Sequence, residues 1–282
     1  SNISGNNTVG LSAAGLVNIT GDRTQGVIIS GLTSIGGDNT SGLMISGFMN
    51  VTGNMASGLH FSGAANITGQ SFGGLMASGL LNVVGEHMNG LQMAGIANIT
   101  ASKLNGVQIA LCNYATQARG LQIGLVNYYK EDMKGFQLGL VNANPDTRVQ
   151  MMVYGGNATP ANIGVRFKNQ LFYTILGIGS MYQGLNDKFS ASASYRAGLS
   201  FTLYKGLSIS GDLGYQHIEA FDNKDEVIPK RLYALQARAN LEYQFTRKFG
   251  IFATGGYGLT RFYNKSSNYD KGAIIEAGIV LF

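Results

Sequence analysis

The sequence predicts an all-β protein in two parts: an N-terminal glycine-rich β-solenoid over residues 1–144 and a C-terminal eight-stranded antiparallel transmembrane β-barrel over residues 145–282. Three observations carry this expectation. A 16-residue unit repeats without a gap through the first hundred residues, and long stretches of the second half alternate strictly between apolar and polar residues. The composition, with 41 glycines, 3 prolines, no tryptophan and 12% charged residues, belongs to many short strands and turns. Apolar runs are broken every few residues by Gly, Ser, Asn or Thr, which excludes a membrane-spanning helix and leaves the closed β-barrel as the way to cross a bilayer. The opening SNISGNNTVG has neither a basic nor an apolar signal region, so any secretory signal is expected to have been removed or never to have existed.

The unit opens at Gly5, Gly21, Gly37, Gly53, Gly69 and Gly85 and reads G-x-x-x-x-G-L-x-x-[SA]-G-L-x-N-[IV]-T. Three degenerate copies follow Thr100 and end at Asn144, where the composition changes. Within residues 1–100 only Asp22, Arg23, Asp38 and Glu86 are charged and there is no tyrosine; beyond 145, Tyr, Lys and Arg become common. Two architectures fit the unit. Each copy is either one antiparallel spanning strand, with Leu43, Ile45, Gly47, Met49 and Val51 on one face of a single larger barrel, or one bent coil of a parallel solenoid. The later copies favour the solenoid. GLQIGLVN is one residue shorter than GLxxSGLxN, and the loss falls at the Ser-Gly step. In a straight strand it would throw every later side chain to the opposite face, whereas at a corner it is harmless. Stacked coils also explain why Asn18, Asn50, Asn66, Asn82, Asn98, Asn113, Asn127 and Asn142 recur, since translation brings them into a ladder of mutually bonded amides.

In the second half eight strands are expected at about 148–156, 162–169, 171–181, 190–204, 206–218, 231–246, 249–263 and 271–282. The sixth is the clearest: Tyr233, Leu235, Ala237, Ala239, Leu241, Tyr243 and Phe245 share one face, and Gln236, Arg238, Asn240, Glu242 and Gln244 the other. The same parity puts Arg166, Arg196, Asp212, Arg238, Glu242 and Glu276 on the inward side. Three cations and three anions are expected to pair as a plug in a lumen that eight strands leave too narrow for bulk water. Short linkers after strands two, four and six alternate with long ones after one, three, five and seven, as periplasmic turns alternate with extracellular loops. In the register that puts Ala273, Ile275, Ala277, Ile279 and Leu281 on lipid, the terminal Phe282 faces inward.

The phrases GLQIGLVN at 120 and GFQLGLVN at 135 resemble the repeat of a bacterial surface-repeat family found in Gram-negative outer-membrane proteins, and GVRFKNQLFYTILGIG is similar to the barrel segment that follows such repeats. This resemblance covers about residues 5–144 and implies that the repeats lie on the cell surface. The loop lengths instead imply a periplasmic repeat domain, and the two placements stay open.

Little points to chemistry. His60, His87 and His217 are too few and scattered for a metal site, so no metal or cofactor is expected. The glycine-rich runs lack the Lys-Ser/Thr and the following helix of a phosphate loop. The N-I-T and N-V-T triplets match glycan acceptors, but the ladder explains their place in every unit. An enzymatic barrel would draw on His217 and on Asp222, Asp225 and Glu226, which a solvated loop explains equally well; the expectation is no enzyme. Cys112 is expected to be a small buried hydrophobe. Met44, Met49, Met55, Met76, Met88 and Met93 are either adaptable contact area or core fillers. A net charge of +5, scattered rather than clustered, argues against a nucleic-acid partner. The expected function is therefore an outer-membrane-anchored structural or interaction protein presenting a repetitive β platform to a protein partner or surface glycan. Its expected partners are outer-membrane lipid and other outer-membrane or envelope proteins. The alternative is a porin-like transport protein formed by one continuous larger barrel.

Overall fold

A computed structural model describes residues 1–180, 182, 185, 189–221, 231–263 and 268–282. The chain is all-β and forms two units, Ser1–Pro145 and Asp146–Phe282. The first is a parallel β-solenoid of about nine turns and the second a closed barrel of eight antiparallel strands.

One solenoid coil consists of a longer strand such as Asn39–Ser46, a corner at Gly47 and Phe48, a short strand such as Met49–Thr52, and a second corner at Gly53 and Asn54. Each strand pairs in parallel with its equivalent one coil away, Leu43 beside Leu59 and Asn50 beside Asn66. The repeats therefore pair with one another and are not staves of a larger barrel, which removes the single-barrel alternative. Glycine is required where the long strand kinks: Gly58 has φ +109°, and a Cβ there would run into the carbonyl oxygen of Gly42 in the coil before. Corner glycines such as Gly63 are held by the same close approach, against the Gly47 carbonyl. The shortened copies keep both strands in register, with Ile109 beside Met93 and Cys112 beside Ala97, because the missing residue comes out of the corner between them.

Strand parity closes the coil around the second, less hydrophobic set of side chains. In the third coil Thr40, Met44, Ser46, Asn50 and Thr52 are buried, while Ile45 and Phe48 are exposed. A small apolar cluster, including Ala56, Phe72, Met76, Val84, Met88 and Leu104, fills the side of the coil away from the Gly47 corner. The methionines divide accordingly: Met44, Met76 and Met88 are core fillers, and Met55 and Met93 are exposed. Cys112 is exposed, contrary to expectation. It opens a short strand in the outward position shared with Ala97 and Val126, and the next residue, Asn113, takes the inward one.

The barrel strands are Arg148–Gly156, Ala161–Asn169, Phe172–Ser180, Ser190–Tyr204, Leu207–Ala220, Arg231–Thr246, Phe249–Phe262 and Asn268–Leu281. Each is antiparallel to its neighbours, and the last pairs with the first, Ile279 beside Val153. Outward rows are apolar, as with Leu235 and Leu241 on the sixth strand. Aromatics gather toward both ends of that row. Tyr243, Phe245 and Phe249 are in contact at one end, with Tyr215, Tyr233 and Tyr263 at the other. Phe282 lies past the end of the last strand and is exposed, because the alternation that would turn it inward stops at Leu281.

Candidate functional site

The barrel lumen is the densest concentration of ionised groups, and the inward parity of five strands assembles it. Arg166, Arg196, Asp212, Arg238, Glu242 and Glu276 are all buried, Arg196 to 1% exposure. Arg166 clamps Glu242 with two parallel bonds, Nη1 to Oε2 at 2.6 Å and Nη2 to Oε1 at 3.0 Å, and donates Nε to Gln150 at 2.7 Å. Arg196 forks Asp212 side-on, Nε to Oδ1 at 2.9 Å and Nη2 to Oδ2 at 2.7 Å. The planar guanidinium suits this pairing, since two aligned N–H groups match two carboxylate oxygens. Glu276 is shared between two cations, 3.2 Å from Arg238 and 3.5 Å from Arg196.

Neutral groups complete the network. Asn240 donates to Asp212 at 2.8 Å and accepts from Arg196 at 3.0 Å, while the Tyr173 hydroxyl donates to Asp212 at 2.8 Å. The Arg196 and Arg166 guanidinium groups lie 5.9 and 6.0 Å from the ring centres of Tyr154 and Tyr173. Met152, Tyr154, Tyr173, Ile175, Phe252 and Val280 form an apolar layer against this network. The space left among Arg166, Arg196, Asn240, Glu242 and Phe252 is about 10 Å³, room for at most a single water. At the other end Ile218, Leu232, Ala234, Tyr182 and Leu185 pack into a second apolar cluster.

The solenoid carries a different inward arrangement. Asn50 donates Nδ2 to the Asn66 side-chain oxygen at 2.8 Å, Asn66 to Asn82 at 2.9 Å, and Asn82 to Asn98 at 3.0 Å. The chain of amides continues through Asn113 and Asn127 to Asn142. The amides from Asn50 to Asn113 also anchor the long strand of the next coil just before its corner, as when Asn82 donates to the Met93 carbonyl at 2.7 Å. Asn18 stands apart from this run, because Ser34 occupies the column in the second coil and the serines Ser30, Ser34 and Ser46 bridge the gap to Asn50. A second ladder escaped sequence reasoning: Gln92, Gln108, Gln122 and Gln137 are linked side chain to side chain at 2.8 Å per step. The signal was the glutamine at one fixed place in the last four copies. In earlier coils that column holds Ser12, Ile28, Met44, His60 and Met76, which are apolar apart from the serine and the histidine.

His60 is thus enclosed between two methionines, 1% exposed, with Phe72 edge-on at 4.9 Å. Burial pushes its pKa down to about 4, so the neutral ring is the form that packs. His87 is exposed on the coil's polar edge, and His217 sits on the outer barrel wall, with Nδ1 2.7 Å from the Tyr263 hydroxyl and Nε2 3.9 Å from Glu219. The three histidines are not brought together, and no metal-binding group of His, Cys, Asp or Glu occurs among the described residues. Strand pairing places Ala193 and Tyr233 beside His217. Asp222, Asp225 and Glu226 lie outside the described residues. A concavity of about 1020 Å³ lies along the outer wall among Ile163, Ile178, Ala193 and Ile279.

No protein-family model matches the chain, and no curated protein is matched. Among solved structures, the N-terminal β-barrel domain of Pseudomonas aeruginosa OprF is similar at 16% identity and a TM-score of 0.31, over 47% of this chain and 93% of that one.

Proposed function

We propose that this is an outer-membrane protein whose barrel is a plugged, non-conducting anchor and whose solenoid is a structural platform for envelope partners. The observation that carries the reading is the lumen. An apolar outer wall with aromatics at both ends suits a bilayer, while paired charges and an apolar layer fill the interior to about 10 Å³ at the Arg166 level. The barrel's first strand begins at the end where the tight turns at Leu171, Gly206 and Lys248 lie, and such turns face the periplasm in outer-membrane barrels. The repeats are accordingly read as periplasmic, and the protein as structural rather than catalytic.

Planar-bilayer recording of the intact chain tests the plug. No conductance steps are expected, and steady open channels would overturn the anchor in favour of transport. Proteolysis of intact cells tests the side: residues 1–144 should stay protected until the outer membrane is breached.

A further inference from the structure

The solenoid is amphipathic in cross-section, and the division runs through every coil at the same place. In the third coil the outward side chains around the Gly47 corner are Leu43, Ile45, Phe48, Met49 and Val51. The equivalent outward positions in the other coils hold Leu, Ile, Val, Phe, Met, Ala, Cys112, Tyr114 or Tyr128, and Thr33 is the one exception. None carries a charge. At the corner itself the side chains other than the small Ala64 stand well out of the domain, Leu16 at 60% exposure, Phe48 at 55% and Ile96 at 52%. All ionised residues of the domain lie on the opposite edge, between the end of one short strand and the kinked glycine of the next: Asp22, Arg23, Asp38, Glu86, Lys103, Arg119 and the cluster from Lys130 to Lys134.

A water-facing solenoid would bury this apolar set and expose its amides. Here the amides are inside and bonded to one another, which is the inversion expected of a wall that meets hydrocarbon. The backbone meets the same demand. At the corner the Gly47, Phe48 and Met49 amides donate to the Ser30 and Leu32 carbonyls one coil away, at 3.2, 2.8 and 3.1 Å, and the same set recurs at Gly63, Ala64 and Ala65. Hydrocarbon penalises turns whose donors go unbonded, and the amides of these corners are all bonded to the neighbouring coil. The depth also fits. From Leu43 to Ser46 the strand covers about 10 Å, and the Gly47–Phe48 corner stands beyond it, within the about 15 Å of one leaflet's half of the hydrocarbon core. Segregation of charge on one edge from an uncharged apolar edge is what holds amphipathic elements in an interface.

We infer that the Gly47-side edge of the solenoid is a lipid-insertion edge, which embeds the repeat domain in one leaflet of a bilayer while its charged edge stays in water. This rests on the solenoid alone and stands or falls apart from the plugged-anchor reading. Cys112, the chain's single cysteine, is exposed on this edge and makes the test direct. The intact chain, labelled there with an environment-sensitive fluorophore and reconstituted in phosphatidylcholine vesicles, should be quenched several-fold by lipids carrying a nitroxide on the acyl chain and protected from aqueous iodide. A label on the charged edge, in S57C with C112S, should show the reverse. A label on the outer barrel wall, in A237C with C112S, reports whether the barrel has inserted. With the barrel inserted, iodide quenching of Cys112 equal to that of the Ser57 site would overturn the inference. So would protection of Cys112 from both quenchers, because a protein surface, such as a second copy, would then cover the edge.

Discussion

The solenoid and the barrel share an inverted plan, apolar outside and polar inside, but they satisfy their interiors by opposite means. The solenoid stacks neutral amides in identical columns, each rung bonded to its neighbours one coil away. The barrel pairs full charges across unlike strands, and each partner occurs once. The difference is one of redundancy. A missing rung leaves the columns on either side intact, whereas a missing charge strands its partner in a region without water.

The substitution expected to separate the two units most sharply is Asp212→Ala. It leaves the Arg196 guanidinium buried without its forked partner, and should cost the barrel about 3–5 kcal/mol. Loss of the heat-modifiable band at a lower temperature or urea concentration would register it. Next is His60, the one titratable group in the wholly buried part of the coil interior. Its folded pKa, about 4, lies below the ordinary 6.5, so the unfolded chain takes up the proton first. Stability contributed by the neutral ring is full above pH 6.5 and is lost as pH falls toward 4, by about 3 kcal/mol in total. Hydrogen exchange of the solenoid strands between pH 4 and 7 should show that slope, and His60→Met, which copies Met44 and Met76, should flatten it.

Gly74→Ala comes third. Its backbone sits at φ +128° and a Cβ would meet the Gly58 carbonyl, so about 1–3 kcal/mol should be lost, read as faster exchange in the flanking coils. The smallest effect should be that of Asn82→Ser, at about 1 kcal/mol, because Ser34 already fills this column in the second coil. A cost near that of Asp212→Ala would break the contrast, since it would make the amide ladder as intolerant as the ionic layer.

The sequence made some of these features readable and withheld others for definite reasons. The one-residue loss in GLQIGLVN pointed to a corner, because only a corner absorbs a change of strand parity. Alternation along LYALQARANLEYQF assigned residues to two faces, but it cannot say which charges meet. Pairing Arg166 with Glu242 depends on how far non-adjacent strands are staggered around the closed barrel. Alternation likewise fixes which residues of a coil share a face without saying which face encloses the interior. Leu43 and Ile45 have the hydrophobicity of a core yet turn outward, and the fold gives the interior to Thr40, Ser46 and Asn50. Tyr173 and Gln150 were passed over because strands of nine residues give too short an alternation to single out a partner for Asp212 or Arg166.

Parallel stacking of interchangeable coils has a genetic consequence. Because each coil ends where the next begins, one strand spacing further along, the gain or loss of a 16-residue unit changes the domain's length by about 4.8 Å and disturbs no other contact. The domain is therefore a ruler whose length is set by copy number, whereas the barrel closes only at its own strand count.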